Sequence, residues 1–137
     1  MVTVIDASGA VLGRMASIVA KRLLNGEEIA IVNSEKAIIT GDEQSIKEEY
    51  KNKREIGTQR KGPFFPRMPH LIVKRTIRGM LPYQQPKGRQ ALKRLKCYIG
   101  VPEEYKDVEK ERVGLPEKKP YKYMTIEELS RYLGAKI

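Results

Sequence analysis

The chain has 137 residues, of which 40% are apolar, and this suffices for one domain with a modest aliphatic core. It carries 27 Lys and Arg against 17 Asp and Glu, for a net charge of +10, and it holds one Cys and one His. These counts exclude an intramolecular disulfide and a metal site built from several Cys and His.

Strand and helix patterns alternate in the first half of the chain. Residues 2–5 form a short β-branched run, and apolar side chains then recur every three or four positions over 11–23, which predicts a helix. Continuous apolar runs at 29–32 and 37–40 predict buried strands, and 43–53 predict a second helix. This order favours an α/β fold with a mostly parallel sheet and helices on both faces.

The second half begins with an irregular stretch. Residues 57–69 contain three prolines and show no period, so we expect a surface loop. Helical patterns return at 71–81 and 89–95, each with one apolar and one basic side, and 97–101 predict the last strand. From Pro102, the residues Gly114, Pro116 and Pro120 suggest an irregular connector.

The C-terminal part, 103–137, carries weaker signals. Acidic residues offset its lysines, and a capping box formed by Thr125 and Glu128 predicts a final helix that Gly134 closes. We find no internal repeat and expect residues 1–137 to form a single domain.

Positive charge is concentrated in residues 51–96, which we call the basic segment. It holds fourteen Lys and Arg against one acid, Glu55, for a net charge of +13, so the rest of the chain sums to −3. Crowding like charges costs self-repulsion, which a polyanion relieves while releasing counterions. An ordinary solvated face mixes both signs. We therefore expect RNA or DNA as the partner.

The candidate contacts are the arginines and lysines of this segment and one arginine near the first turn. One Arg side chain can donate two parallel hydrogen bonds to phosphate oxygens, whereas Lys acts as a mobile point charge. The candidates are Arg14, Arg60, Lys61, Arg67, Lys74, Arg75, Arg78, Lys87, Arg89, Lys93, Arg94 and Lys96. Three aromatic residues either stack on bases or anchor loops to the core: Phe64, Phe65 and Tyr83.

Residues suited to catalysis are few. The turn at 9–14 reads GAVLGR and matches neither phosphate-binding loop motif, and Gly13 is better explained by close packing or by approach of a partner backbone. His70 suits a helix cap or a phosphate contact, and Cys97 suits a small core position. An α/β enzyme acting on RNA or nucleotides is thus the weaker alternative.

The sequence pattern also shows no targeting signal and no membrane-spanning segment. Residues 1–9 lack the basic region and apolar run of a secretory signal, and no window approaches the roughly 20 apolar residues of a membrane span. We expect a cytoplasmic protein without membrane contact.

Four stretches together resemble the L13 (uL13) family of large-subunit ribosomal proteins. They are VIDASGAVLGRMASIVAKRLL, IVNSEKAIITG, KRTIRGMLP and GRQALKRLKCYIGVP, in the family's order over residues 2 to about 102. The start of the chain and the stretch GPFFPRMP resemble the archaeal and eukaryal branch.

The resemblance implies a three-layer α/β/α fold around a four-stranded parallel sheet, with no catalytic activity, cofactor or small-molecule substrate. It also implies binding to large-subunit ribosomal RNA beside neighbouring large-subunit proteins in the cytoplasm. Its motifs fall on Arg14, on Lys74, Arg75, Arg78 and Gly79, and on Arg89, Lys93, Arg94 and Lys96. A free regulator that binds messenger RNA shares the same surface and stays open at this point.

Overall fold

The computed structural model of the protein describes residues 2–55 and 66–135, which form a mixed α/β fold. The α-helices of these residues are α1 (Leu12–Leu24), α2 (Glu43–Glu55), α3 (Pro69–Gly79), α4 (Pro86–Lys93) and α5 (Ile126–Tyr132). The strands are β1 (Val2–Asp6), β2 (Glu28–Val32), β3 (Ile38–Thr40), β4 (Leu95–Cys97) and β5 (Tyr123–Thr125). Single 3-10 turns lie at Ser34–Lys36 and Glu103–Tyr105.

A parallel sheet of three strands lies at the centre, in the order β1-β2-β4. Val4 pairs with Ala30, which in turn pairs with Lys96 on the other side of β2. The central position of β2 explains its continuous apolar run, because Ile29 and the three residues after it are all buried.

Helices α1 and α3, one from each connection between these strands, pack together on one face of the sheet. The chain passes from β1 through α1 to β2, and then through β3, α2, α3 and α4 to β4, moving each time in the same direction across the sheet. Right-handed crossovers in one direction place their helices on the same side. Accordingly, α1 contacts α3, and Ile5, Ile29 and Ile31 share one core with both helices.

The other face of the sheet is covered by the chain that follows β4. Side chains alternate along a strand, so Val4, Ala30 and Val32 point away from the core helices, and all three are buried. Tyr105 lines a cleft with Val2 and Ala30. The three-layer arrangement expected from the family resemblance is therefore not confirmed.

The expected four-stranded parallel sheet is not confirmed either. β3, the strand expected at 37–40, pairs antiparallel with β5, placing Ile38 opposite Thr125. A parallel return next to β2 would need a crossover of about a dozen residues or more. Only residues 33–37 link β2 to β3, so β3 leaves the first sheet, and its Ile38 forms an isolated parallel bridge with Val11, between β1 and α1.

The connector after β4 closes the outer edge of β1. The Asp6 amide donates to the Glu111 carbonyl at 2.9 Å, and the Glu111 amide donates to the Val4 carbonyl at 2.9 Å. Gly114 then passes so close to α1 that a Cβ there would lie 2.6 Å from the Met15 nitrogen. The connector is irregular, as expected, but it covers an edge that would otherwise expose unpaired backbone groups.

α5 completes the core from the C-terminal side. Met124, Ile126 and Leu129 are almost fully buried in the same cluster as the apolar sides of α1 and α3. The Thr125 hydroxyl accepts a hydrogen bond from the Glu128 amide at 3.2 Å, which confirms Thr125 as the cap of this helix.

The bounds of three elements in the second half of the chain differ from the prediction. The helix predicted at 71–81 spans Pro69–Gly79. The helix predicted at 89–95 spans Pro86–Lys93 instead, because Pro86 suits the first helical position. The strand predicted at 97–101 is Leu95–Cys97, since Leu95 already pairs with Ile29.

Candidate nucleic-acid interface

Helix α3 presents an apolar side to the core and a basic side to the surface. Ile72 and Ile77 are fully buried, whereas Lys74 and Arg75 are half-buried and Arg78 is exposed. The helical period separates the two sets of residues on opposite sides. Packing of the apolar side therefore fixes the direction in which the cations point.

A tight corner joins α3 to α4 and carries Tyr83. The Tyr83 amide donates to the Leu81 carbonyl at 2.7 Å, and the Gln85 amide donates to the Pro82 carbonyl at 2.9 Å. Gly88, in the first turn of α4, lies so close that a Cβ would be 2.0 Å from the Pro82 carbonyl oxygen. This contact holds α4 directly against the corner.

Two adjoining cavities at this corner, of about 470 and 270 Å³, form what we call the α3–α4 cleft. Both are lined by Arg75, Arg78 and Tyr83. The other lining residues are Gly79, Leu81, Pro82, Gln84 and Gln85 in the larger cavity and Pro66, Leu71, Lys74 and Leu92 in the smaller one. The lining contains three cations and no carboxylate.

Arg78 and Tyr83 form a stacked pair inside this cleft. The guanidinium carbon of Arg78 lies 4.1 Å from the centroid of the Tyr83 ring. Tyr83 remains 38% exposed and does not belong to the core cluster. The ring is thus held in place by an arginine on one side while part of it faces solvent.

The basic side chains around the cleft have no anionic partners within residues 2–55 and 66–135. Residues 66–96 contain nine Lys and Arg and no acid. The ion pairs of the described residues form elsewhere, as between Arg22 and Glu111 at 2.7 Å and between Arg131 and Glu127 at 2.7 Å. The positive charge of this surface is therefore available to an external anion.

A second basic group lies near the start of β4. Lys93 and Lys96 line a cleft of about 280 Å³ together with Glu28 and Tyr105. Arg94 lines it too, but its Nη2 donates to the carbonyl of Leu23, at the end of α1, at 2.7 Å. That bond commits Arg94 to the packing of α1 against β4.

The remaining predicted contacts are spread over other surfaces. Arg14 is exposed on α1 and lines a separate cleft of about 430 Å³ near Thr40. The Arg67 guanidinium lies beside Gly134 at the end of α5. Lys87 and Arg89 are exposed on α4. The other four predicted residues lie outside the described ones: Arg60, Lys61, Phe64 and Phe65.

Two features of the cleft were not predicted from the sequence. Gln84 and Gln85 bring uncharged amides into a basic wall, and their position between Pro82 and Pro86 is a signal that could have identified them. The close approach of Gly88 was missed because nothing in its local sequence predicts the contact.

His70 and Cys97, the two residues weighed for catalysis, are both partly buried. His70 does not cap α3, since Met68 occupies that position, and burial and nearby Lys74 lower the pKa of its imidazole. Burial raises the pKa of the Cys97 thiol to about 12, so the thiol stays protonated near neutral pH.

Neither a membrane span nor a metal cluster is found in the described part of the chain. No helix there is both long and apolar enough to cross a bilayer. No three His, Cys, Asp or Glu side chains among those residues are grouped as metal ligands would be.

The chain is similar to one family along nearly its whole length. The model of the family described as Ribosomal protein L13 matches residues 1–104. The large ribosomal subunit protein uL13 of Archaeoglobus fulgidus is 55% identical over 136 residues, covering 96% of this chain and 87% of that protein. Its counterpart in Methanococcoides burtonii is 50% identical over 137 residues, covering 98% of this chain and 99% of that protein.

A third relative, the uL13 protein of Methanopyrus kandleri, is 53% identical over 137 residues and covers 96% of this chain and 86% of that protein. These matches confirm the resemblance inferred from the four sequence stretches, including its archaeal character. The chain therefore belongs to the ribosomal protein L13 family.

Proposed function

We propose that this protein is a structural, non-catalytic constituent of the large ribosomal subunit that binds large-subunit ribosomal RNA and supports its assembly. The observation that carries the proposal is the α3–α4 cleft, in which Lys74, Arg75 and Arg78 meet without an opposing carboxylate. In this proposal the protein works in cytoplasmic ribosomes beside neighbouring large-subunit proteins.

The fold supports this function by holding cations at fixed positions. Ile72 and Ile77 anchor α3 in the core, and the Gly88 contact fixes α4, so little ordering cost is left for binding. Each cation that meets a phosphate also releases a condensed counterion, which adds to the affinity. The remaining exposed candidates, Arg14 and Arg89 among them, extend the contact beyond the cleft.

Recognition should depend mainly on RNA shape. The major groove of A-form RNA is too narrow for side chains to read, so phosphates, 2′-hydroxyls and unstacked bases are the accessible groups. The cations of the cleft suit the phosphates, and Tyr83 suits an unstacked base.

The test is a triple charge reversal of α3, Lys74→Glu, Arg75→Glu and Arg78→Glu. We expect this variant to stay folded by circular dichroism but to be lost from large-subunit particles that sediment in high-salt sucrose gradients. High salt also separates a subunit constituent from a free messenger-RNA regulator, which would not co-sediment.

A matched control reverses three exposed lysines away from the cleft, Lys106→Glu, Lys119→Glu and Lys122→Glu, with the same change in net charge. We expect this control to enter the subunit normally. Normal incorporation of the α3 variant would contradict the proposed role of the cleft.

A further inference from the structure

The α3–α4 cleft offers more than positive charge, since it combines a flat ring with free amides. Tyr83 is 38% exposed, and one side of its ring is covered by the Arg78 guanidinium at 4.1 Å. Gln84 and Gln85 line the same cavity, and their side-chain amides make no hydrogen bond with any described residue. Phosphate binding alone requires neither the ring nor these amides.

The cleft is also the right size and stiffness for a small flat ligand. Its larger cavity of about 470 Å³ falls within the range of roughly 300–1,000 Å³ typical of small-molecule sites. The corner beneath Tyr83 is braced by its own backbone hydrogen bonds and by the contact of Gly88 with Pro82. The ring is therefore positioned before any ligand arrives.

We infer that the α3–α4 cleft binds a single unstacked nucleobase of ribosomal RNA, which stacks on Tyr83 while the amides of Gln84 and Gln85 bond to the edge of the base. This inference rests on the proposed function and names the group that the cleft recognises. Unpaired bases in RNA stack on aromatic rings and on arginine planes, and amides donate to and accept from base edges. Arg75 and Arg78 then neutralise the phosphates on either side of the base.

The inference distinguishes Tyr83 from the cations around it. Removal of an aromatic stacking partner weakens single-strand binding by roughly 5- to 150-fold. Because a tyrosine releases no counterion, its loss should leave the salt dependence of binding unchanged. Loss of a lysine or arginine should instead lower that dependence.

The test compares Tyr83→Ala with Tyr83→Phe, which keeps the ring, in binding to protein-free large-subunit ribosomal RNA from the same organism. We expect the alanine variant to bind at least fivefold more weakly at every salt concentration and the phenylalanine variant to bind like wild type. Thermal melting should be the same for all three proteins, since Tyr83 lies outside the core.

A second readout locates the base. Ultraviolet irradiation of reconstituted subunits should cross-link one nucleotide to the tryptic peptide 79–87, whose single aromatic residue is Tyr83. The inference is overturned if Tyr83→Ala binds within twofold of wild type, or if other peptides cross-link and this one does not. Either result leaves the proposed function intact, whereas failure of the wild-type protein to bind the RNA would overturn both.

Discussion

At the scale of single residues, Gly88 allows α4 to pack directly against the corner that joins it to α3. Its Cα lies so close to Pro82 that a Cβ would come within 2.0 Å of the carbonyl oxygen, which belongs to rigid backbone. Gly13 offers a contrast, because no described atom lies within 4 Å of the corresponding position. Close packing within the chain therefore does not explain Gly13, and approach of a partner backbone stays a prediction.

We expect Gly88→Ala to lower the free energy of unfolding by ~1–3 kcal/mol, because the added methyl group forces α4 away from the corner. Gly13→Ala is the control and should raise this free energy by up to ~1 kcal/mol, since alanine favours the helix. Urea denaturation of both variants measures the difference. Equal stability of the two variants would contradict the packing at Gly88.

Asp6, at the end of β1, makes the stability depend on pH. Burial alone would raise the pKa of its carboxyl group, but hydrogen bonds from the Ser8 amide at 2.9 Å and the Asn33 amide at 3.1 Å, together with Arg112, hold that pKa below its ordinary value of 3.8. The folded state thus binds this proton less tightly than the unfolded state. The resulting stabilisation is complete when the pH is above the ordinary pKa. It is lost as the pH falls through the lower pKa that the carboxyl group has in the folded state.

Asp6→Asn should therefore cost about 1 kcal/mol of unfolding free energy near neutral pH, where the charged hydrogen bonds are lost. The difference from wild type should shrink as the pH falls through the lowered pKa of the folded state, because the wild-type carboxyl is then protonated as well. Urea denaturation at several pH values measures it, with exposed Asp107→Asn as the control. A difference that does not change with pH would contradict this role of the Asp6 charge.

At the scale of elements, the C-terminal part of α4 and the residue after it combine an exposed arginine with an arginine that stabilises the fold. Arg89 is exposed on the helix, whereas Arg94, just after it, donates to the Leu23 carbonyl at 2.7 Å and supports the end of α1. A cation at the C-terminus of a helix also interacts favourably with the helix dipole. Arg94 is thus a structural residue as well as a predicted RNA contact.

We expect Arg94→Ala to lower the unfolding free energy of the isolated protein by about 1–3 kcal/mol, since a charged hydrogen bond to a partly buried carbonyl is lost. Arg89→Ala should change it by less than about 0.5 kcal/mol. Guanidinium denaturation without RNA separates the two effects. A stable Arg94→Ala protein with weakened RNA binding would assign this arginine to RNA instead.

The basic side of α3 allows a measurement that counts phosphate contacts. Each lysine or arginine that neutralises a phosphate adds roughly one unit to the slope of log affinity against log salt. Replacing Lys74, Arg75 and Arg78 together by alanine should therefore lower this slope by about 2–3 in filter binding with large-subunit ribosomal RNA. An unchanged slope would show that these three side chains do not face phosphates.

Helices and strands whose signals lie within one segment can be predicted from the sequence. The elements with which they pair or pack are predicted less well. The apolar and basic sides of α1 and α3 follow from a helical period contained within each segment. The pairing of β3 with β5 depends on a strand far along the chain, although the short link at 33–37 already argued against a parallel return to β2. The inward turn of Arg94 depends likewise on where α1 ends.

At the scale of the whole molecule, the C-terminal quarter of the chain is part of the core although the family match ends at residue 104. Met124, Ile126 and Leu129 are buried with α1 and α3, and Glu111 pairs with the edge of β1. The region with the weakest sequence signals therefore completes the fold.

A chain truncated after residue 104 should consequently show no cooperative unfolding transition in urea. Within the whole chain, Leu129→Ala should lower the unfolding free energy by ~2–5 kcal/mol, as for other large core residues. Tyr121→Ala, at a position that is 96% exposed, should change it by less than about 0.5 kcal/mol. Cooperative unfolding of the truncated chain would contradict a shared core.

The closure of β1 by Glu111 and of the core by α5 has a consequence for biosynthesis. A chain is made from its N-terminus, so the basic helices leave the translating ribosome before the residues that complete the core beneath them. Until the core is complete, the positive charges of these helices lie on an incompletely folded chain, where they repel each other and attract any nearby polyanion. In the proposed function, ribosomal RNA binds only the finished surface, and such binding would favour completion of the fold by mass action.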